Sequence, residues 1–176
     1  MAFITRAQIK LYERGSSHSA ENVASAQAVA FNSASAQATV FLSHSSKDRE
    51  LIMPAIAFLR SHGVSVYVDW MDGGMPDVVS SVTANRIKEK IREQRKFLII
   101  LTENSKGSRW VPWELGIADI VKGMNHIAIL PVSENGSFDQ NEYMRIYPKI
   151  EIINNIWWVW TDDPLSITPL PEWLKK

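Results

Sequence analysis

The sequence has no cysteine among its 176 residues. That absence excludes a disulfide scaffold, a Cys-ligated zinc site, an iron–sulfur cluster and a thiol nucleophile. Neither charge sign is in excess, with 19 Lys and Arg against 19 Asp and Glu. A strongly basic nucleic-acid face is therefore disfavoured. No run approaches the ~18–20 unbroken apolar residues of a spanning helix. Arg6, Lys10 and Arg14 interrupt the N-terminal stretch where a signal peptide needs a continuous apolar region. The Ala-x-Ala strings at 26–28 and 36–38 have no hydrophobic segment before them. A cytoplasmic protein is expected, with neither nucleic acid nor membrane as partner.

Familiar catalytic signatures are also missing. There is no G-x-G-x-x-G after the first strand, no Walker lysine loop, no G-x-S-x-G elbow and no H-E-x-x-H. A dinucleotide-binding Rossmann domain, a P-loop NTPase, an α/β-hydrolase and a zincin are disfavoured in turn. His18, His44, His62 and His126 show no metal-ligand spacing, so neither a metal nor a resident cofactor is expected. His62, just before Gly63, reads as a positive charge at a helix C-terminus.

What is present is ordinary globular composition, 45% hydrophobic and 22% charged, at a length that supports one domain with its own core. Residues 1–37 read as a helical extension. Thr5-Arg6-Ala7-Gln8 fits a capping box, with Ile4 and Ile9 placed as a hydrophobic staple and Gly15 as a stop. Residues 20–38, with eight Ala and no Gly or Pro, favour a second helix.

From residue 38 the chain alternates apolar runs with helix-period segments. Strands are expected at 38–43, 64–69, 97–102 and 126–132, and a further one at 156–160. Helices fall between them. The first runs from Asp48 to His62, with Pro54 kinking it or delaying its start and Gly63 ending it. The second is capped by Asp77 and buries Ala84, Ile87 and Ile91. The third spans about 109–123. Residues 133–176 read as looser: a loop, a short helix near 140–147 and a Pro-rich tail. Strands that are apolar on both faces and alternate with helices predict an α/β, doubly wound parallel sheet.

In such sheets ligands bind beyond the carboxyl ends of the strands, where the strand order reverses. That rule nominates the loops Ser43–Asp48, Asp69–Asp77 and Thr102–Arg109. The segment Ser108-Arg-Trp-Val-Pro-Trp-Glu-Leu115 carries the sharpest chemistry. Pro112 suits a first helical turn, which places Glu114 in the positive field of a helix N-terminus. That field is expected to keep its carboxylate ionised, suited to stabilising developing positive charge. An acidic residue at a helix start is also routine structure. Trp110 and Trp113 offer an aromatic wall for a flat ligand, or core packing.

These residues resemble the TIR (Toll/interleukin-1 receptor) domain family. Thr39-Val-Phe-Leu-Ser-His-Ser-Ser-Lys-Asp48 is similar to its first box. Gly63-Val-Ser-Val-Tyr-Val-Asp-Trp70, followed by Gly73-Gly-Met-Pro76, resembles the second strand and its BB loop. Trp110 to Glu114 matches the W-x-x-x-E motif. The resemblance covers about 38–132 well and 133–160 loosely, and divides the chain into an extension over 1–37 and a TIR domain over 38–176. It implies a flavodoxin-like fold with a five-stranded parallel sheet. It also implies cleavage of NAD+ as substrate at the nicotinamide–ribose bond, with Glu114 catalytic, by hydrolysis or by cyclisation to a cyclic ADP-ribose.

By the same resemblance Ser43 and His44 line the pocket, and Ser45 and Ser46 lie near the phosphates. Arginines present there in some members are absent, leaving hydroxyls, backbone N–H groups and Lys47. Asp69 and Trp70 are further substrate-binding candidates, and Trp110 belongs to the motif. Asp69 is as well placed to bond loop backbone, and Trp70 to cover the sheet edge. The BB loop, about 71–78, is expected to contact a neighbouring TIR protomer. A stand-alone bacterial enzyme in antiphage defence is the favoured reading, reaching a separate effector through a nucleotide product. A non-catalytic TIR–TIR adaptor is the alternative, and a nucleoside deoxyribosyltransferase relative is disfavoured by the BB loop.

The balanced charge is also a partition. Residues 1–85 hold 6 basic and 7 acidic side chains, 86–109 hold 8 and 3, and 110–176 hold 5 and 9. A basic segment beside an acidic third reads either as a solvated helix face or as complementary surfaces for head-to-tail assembly.

Overall fold

The computed structural model describes residues 3–14, 39–76, 78–134, 142–160 and 166–176. The helix expected over 20–38, the stop at Gly15 and the cap at Asp77 lie outside these residues. The N-terminal capping box forms: Thr5 N donates to Gln8 Oε1 at 2.9 Å, and Gln8 N donates to Thr5 Oγ1 at 3.2 Å. Helix α1 (Arg6–Arg14) follows, and the staple residues Ile4 and Ile9 are both buried. Ile4–Thr5 is itself a strand, β1, so residues assigned from sequence to an extension enter the sheet and the core.

The parallel core consists of β2 (Thr39–Ser43), β3 (Ser65–Tyr67), β4 (Lys96–Leu101), β5 (Ile127–Ser133) and β6 (Lys149–Ile153); the first four match the expected strands, whereas β6 was not expected and the strand expected at 156–160 runs antiparallel to it. Two antiparallel strands, β7 (Ile156–Trp160) and β8 (Ile167–Pro169), extend it. The eight-stranded sheet runs β3-β2-β4-β5-β6-β7-β8, with β1 parallel to the end of β5.

Strand alternation divides the core into two layers. Leu98 and Ile100 face one side, with Val40, Leu42, Ala128 and Leu130, under helix α2 (Arg49–Ser61). Phe97, Ile99 and Leu101 face the other, with Phe41, Ile127 and Ile129. Helices α3 (Ser81–Glu93) and α5 (Trp110–Lys122) cover that side through Ile87, Ile91, Val111, Leu115 and Ala118. Helix α4 (Glu103–Lys106) is a single turn between β4 and α5.

Local chemistry explains most boundaries, including those the sequence misplaced. A 3-10 turn at Ser46–Asp48 leads into α2, which runs through Pro54 instead of starting late. The N–H that Pro54 lacks would have bonded the carbonyl of Glu50, an exposed first-turn residue whose carbonyl water can satisfy. Gly63 ends this segment at φ +79°, a conformation that side chains resist. His62 is not the terminal cation expected. Burial lowers its pKa, and its ring packs edge-on against Phe58 at 5.0 Å.

Helix α3 is capped by Ser80, which exchanges hydrogen bonds with Thr83. Asn154 and Asn155 take φ 51° and 61°, the paired positive values of a tight hairpin, and join β6 to β7. The C-terminal stretch is not a loose tail. Strand β8 and helix α6 (Leu170–Lys175) bring Leu170, Trp173 and Leu174 into the core. Trp157 packs edge-on against Phe58 at 5.0 Å. Among the described residues no helix is long and apolar enough to cross a membrane.

Candidate active site

Strands β2 and β4 are neighbours, yet β3 lies beyond one and β5 beyond the other. Their connections diverge at the carboxyl ends, which leaves a crevice there. A cavity of about 180 Å³ opens at this point. All three nominated loops reach it: His44 and Ser46 from the first, Asp69, Trp70 and Met75 from the second, and Ser108 from the third. Thr83 and Ile87 of α3 close one wall, and Trp110 and Glu114 of α5 another.

Glu114 owes its position to the start of α5. Ser108 Oγ accepts from the amides of Trp110 and Val111, each at 3.3 Å, so the helix begins at Trp110 and Pro112 is its third residue. Glu114 is then the fifth residue, within the stripe Val111, Leu115 and Ala118 that faces the core. Ser43, the last residue of β2, donates from Oγ to Glu114 Oε2 at 2.6 Å, with both side chains buried.

This geometry corrects the expectation of an ionised carboxylate. The helix-terminal field acts mainly within the first turn, and Glu114 lies beyond it. Burial raises its pKa to about 8, the negative charge of Asp69 adds to the shift, and the Ser43 hydrogen bond opposes it. The resting carboxyl is protonated at neutral pH. His44 shifts down because it is buried, against the opposing pull of Asp69, so its imidazole is neutral.

Three other expectations change. Ser43 is buried behind Glu114 and does not itself line the cavity. Ser45 is buried and turned into the 3-10 turn, where its Oγ accepts from Lys47 N at 3.3 Å, and it does not line the cavity. The cation at the cavity is Arg49, not Lys47. Arg49 lies over the Trp70 ring, 5.5 Å from its centre, which turns Trp70 toward the cavity and away from a purely covering role. Of the two tryptophans on α5, Trp110 lines the cavity while Trp113 packs edge-on against it at 5.2 Å.

Sequence reasoning passed over Arg49 and Thr83, and within the nominated loops it did not single out Met75 or Ser108 as site residues. Ser108 carries a signal, a hydroxyl just before a helix start. The other three are brought in by packing between elements distant in sequence. The loop after Trp70 is held by Asp72, which accepts from Tyr67 Oη at 2.8 Å, Gly74 N at 2.9 Å and Arg86 Nη2 at 2.9 Å. Among the described residues no cluster of three or more His, Asp or Glu is arranged to hold a metal ion.

The site thus offers one protonated buried carboxyl, a second acidic group beside it, two aromatic faces and one arginine. An entering cation favours ionisation of Glu114, because it replaces a like-charge neighbourhood with an opposite charge. Such a crevice suits a flat, positively charged group attached to an anionic remainder.

Residues 40–159 match the TIR domain family. The chain is 34% identical over 146 residues to a protein of Bacillus cereus (strain MSX-D12) named probable 3' cyclic ADP-D-ribose synthase ThsB', spanning 80% of this chain and 74% of that protein. It is 33% identical over 77 residues to a protein of Cytobacillus dafuensis named putative cyclic ADP-D-ribose synthase TIR2, spanning 42% of this chain and 20% of that one. The matched segment takes in β2 through β7, the crevice and Glu114, and the chain belongs to the TIR domain family.

Proposed function

We propose that this protein cleaves the nicotinamide–ribose bond of NAD+ in the Glu114 crevice and makes a cyclic ADP-ribose. The observation that carries the reading is the Glu114 carboxyl, buried against Ser43 at the sheet's switch point with Asp69 alongside. The names of the two relatives support the reaction class.

The nicotinamide ring of NAD+ is cationic. Seated between Trp70 and Trp110, it lowers the pKa of Glu114 and draws the proton off to solvent. The C1′–N bond then breaks with its electron pair passing to the ring, and nicotinamide leaves neutral, so no acid is needed. The remaining ribosyl cation resembles that of glycoside hydrolysis, and the Glu114 carboxylate, fixed by Ser43, stabilises it. Capture by an oxygen or nitrogen of the same molecule gives the cyclic product and a proton; capture by water gives ADP-ribose and a proton.

A cavity of about 180 Å³ is smaller than the ~300–1,000 Å³ pockets that enclose a drug-sized ligand. It accommodates the nicotinamide end, with the pyrophosphate outside near Arg49 and Ser46. A second TIR protomer completing the site across the 71–78 loop fits this shortfall. Val78 at the end of that loop, Val79 after it and Val82 on α3 are 63–74% exposed and available for contact. The role proposed by resemblance is antiphage defence, with the cyclic product reaching a separate effector.

The same exposed valines suit a TIR–TIR adaptor without catalysis. Incubation with NAD+ over a range of protein concentrations separates the two. Nicotinamide release that rises more steeply than protein concentration, with a product of the mass of ADP-ribose less water, is expected. Assembly without nicotinamide at any concentration would leave the adaptor.

A further inference from the structure

At the opposite end of the sheet, Lys96 opens β4 with only 1% of its surface exposed. Its Nζ donates to His126 Nδ1 at 3.2 Å and lies 4.4 Å from the centre of the Trp173 ring. Neither neighbour carries negative charge. Arg95, Lys122 and Lys176 are near enough to repel it, and burial together with these three lowers the Lys96 pKa to about 8. Among the described residues no carboxylate forms an ion pair with any of the four. Arg95 instead donates to the carbonyl of Lys175 at 2.9 Å, and Lys122 to that of Gln94. A buried ammonium among other cations calls for an anion.

Lys96 faces a cavity of about 370 Å³, also lined by His126, Lys176, Asn125, Ser166 and Thr168. The cations and polar side chains suit the several oxygens of a phosphate, and Trp173 and Val159 give an apolar wall. The volume falls within the ~300–1,000 Å³ of small-molecule sites. The five residue steps from Lys96 to Leu101, at ~3.3 Å each, separate it from the Glu114 crevice.

We propose that this cavity binds a small phosphate-bearing ligand, with Lys96 as the buried counter-charge and His126 and Lys176 at its margin. The proposal stands whether or not Glu114 cleaves NAD+.

The Trp173 indole N–H, which donates to the Asn125 carbonyl at 3.0 Å, reports on the cavity. Its NMR signal is followed during titration with inorganic phosphate at constant ionic strength, and separately with AMP. A saturable shift is expected, weakened by about tenfold or more in Lys96→Met, as loss of a charged hydrogen-bond donor predicts. Methionine is of similar length and suits a buried site; should that variant fail to fold, Lys176→Ala carries the test with a smaller loss. Tighter binding of AMP identifies a nucleotide, and equal binding identifies the free ion. No saturable shift, or an equal one in Lys96→Met and Lys176→Ala, overturns the proposal.

Discussion

Replacing Glu114 by Gln should stabilise the protein, and by an amount that grows with pH. In the unfolded chain this carboxyl ionises near 4.5, whereas the folded protein keeps it protonated up to about 8. Between those values the folded state holds a proton that the unfolded state has lost. Raising the pH through this window therefore favours unfolding. The full displacement corresponds to roughly 5 kcal/mol, reached above pH 8, with roughly 4 kcal/mol at pH 8 and roughly 3 kcal/mol at pH 7. The substituted side chain would present a neutral amide of the same shape, with Ser43 still donating to its oxygen, and would carry no such pH-dependent term. In a protein of this size, ~3 kcal/mol moves Tm by about 6–12 °C. Thermal melts of both proteins at pH 5, 6, 7 and 8 provide the assay. The curves should lie close together at pH 5 and separate steadily, with the variant higher. A gap that does not change with pH, or a variant less stable at pH 8, would refute the burial argument.

Further perturbations probe the same arrangement. The kcat/KM for nicotinamide release should rise about tenfold per pH unit up to about 8 and then level, because it follows ionisation of Glu114 in the free enzyme; a pH-independent rate between 6 and 8 speaks against that role. Ser43→Ala removes the 2.6 Å hydrogen bond that favours the carboxylate, so kcat/KM at pH 7 should fall about 10–100-fold. Its plateau should move to higher pH, and a loss equal at every pH would mean a packing defect instead. Asp48 is buried and accepts from Thr102 Oγ1 at 2.5 Å and Asn104 Nδ2 at 2.7 Å. Asp48→Ala strands both donors and should cost about 3 kcal/mol or more in urea unfolding. Phe58→Ala removes the ring shared by Tyr12, His62 and Trp157 and should cost about 3–5 kcal/mol.

Features set by neighbouring residues were legible in the sequence. The Thr5–Gln8 capping box, the Gly63 stop and the two-faced apolar strands each follow from chemistry within a few positions. The state of Glu114 did not, because Pro112 drew attention to the helix end while Ser108 set its actual start. The stripe Val111, Glu114, Leu115 and Ala118 was nevertheless visible, and a carboxyl on a core-facing stripe predicts burial. Arg49 reaches the crevice only through the packing of α2 against the turn carrying Trp70, a contact with no local signature.

The charge partition shows the same limit. Residues 86–109 do not form one basic face. Lys96 is buried, Arg86 is paired with Asp72, and Lys90 and Lys106 pair with Glu93 and Glu103 on their own helices. Net charge along a sequence does not tell which charges are consumed at home. The β6–β7 hairpin was within reach, since Asn154-Asn155 between isoleucines is a strong turn signal.

The central claim is that one buried carboxyl cleaves NAD+. Wild-type protein and Glu114→Gln, each shown folded by its melt at pH 7.5, are mixed with an equal concentration of NAD+ under conditions of assembly, and nicotinamide is quantified over time. The account predicts release approaching one nicotinamide per protomer from the wild type, with a rate reduced about a thousandfold in the variant, as loss of a main electrostatic stabiliser does elsewhere. Equal rates from the two proteins would contradict it.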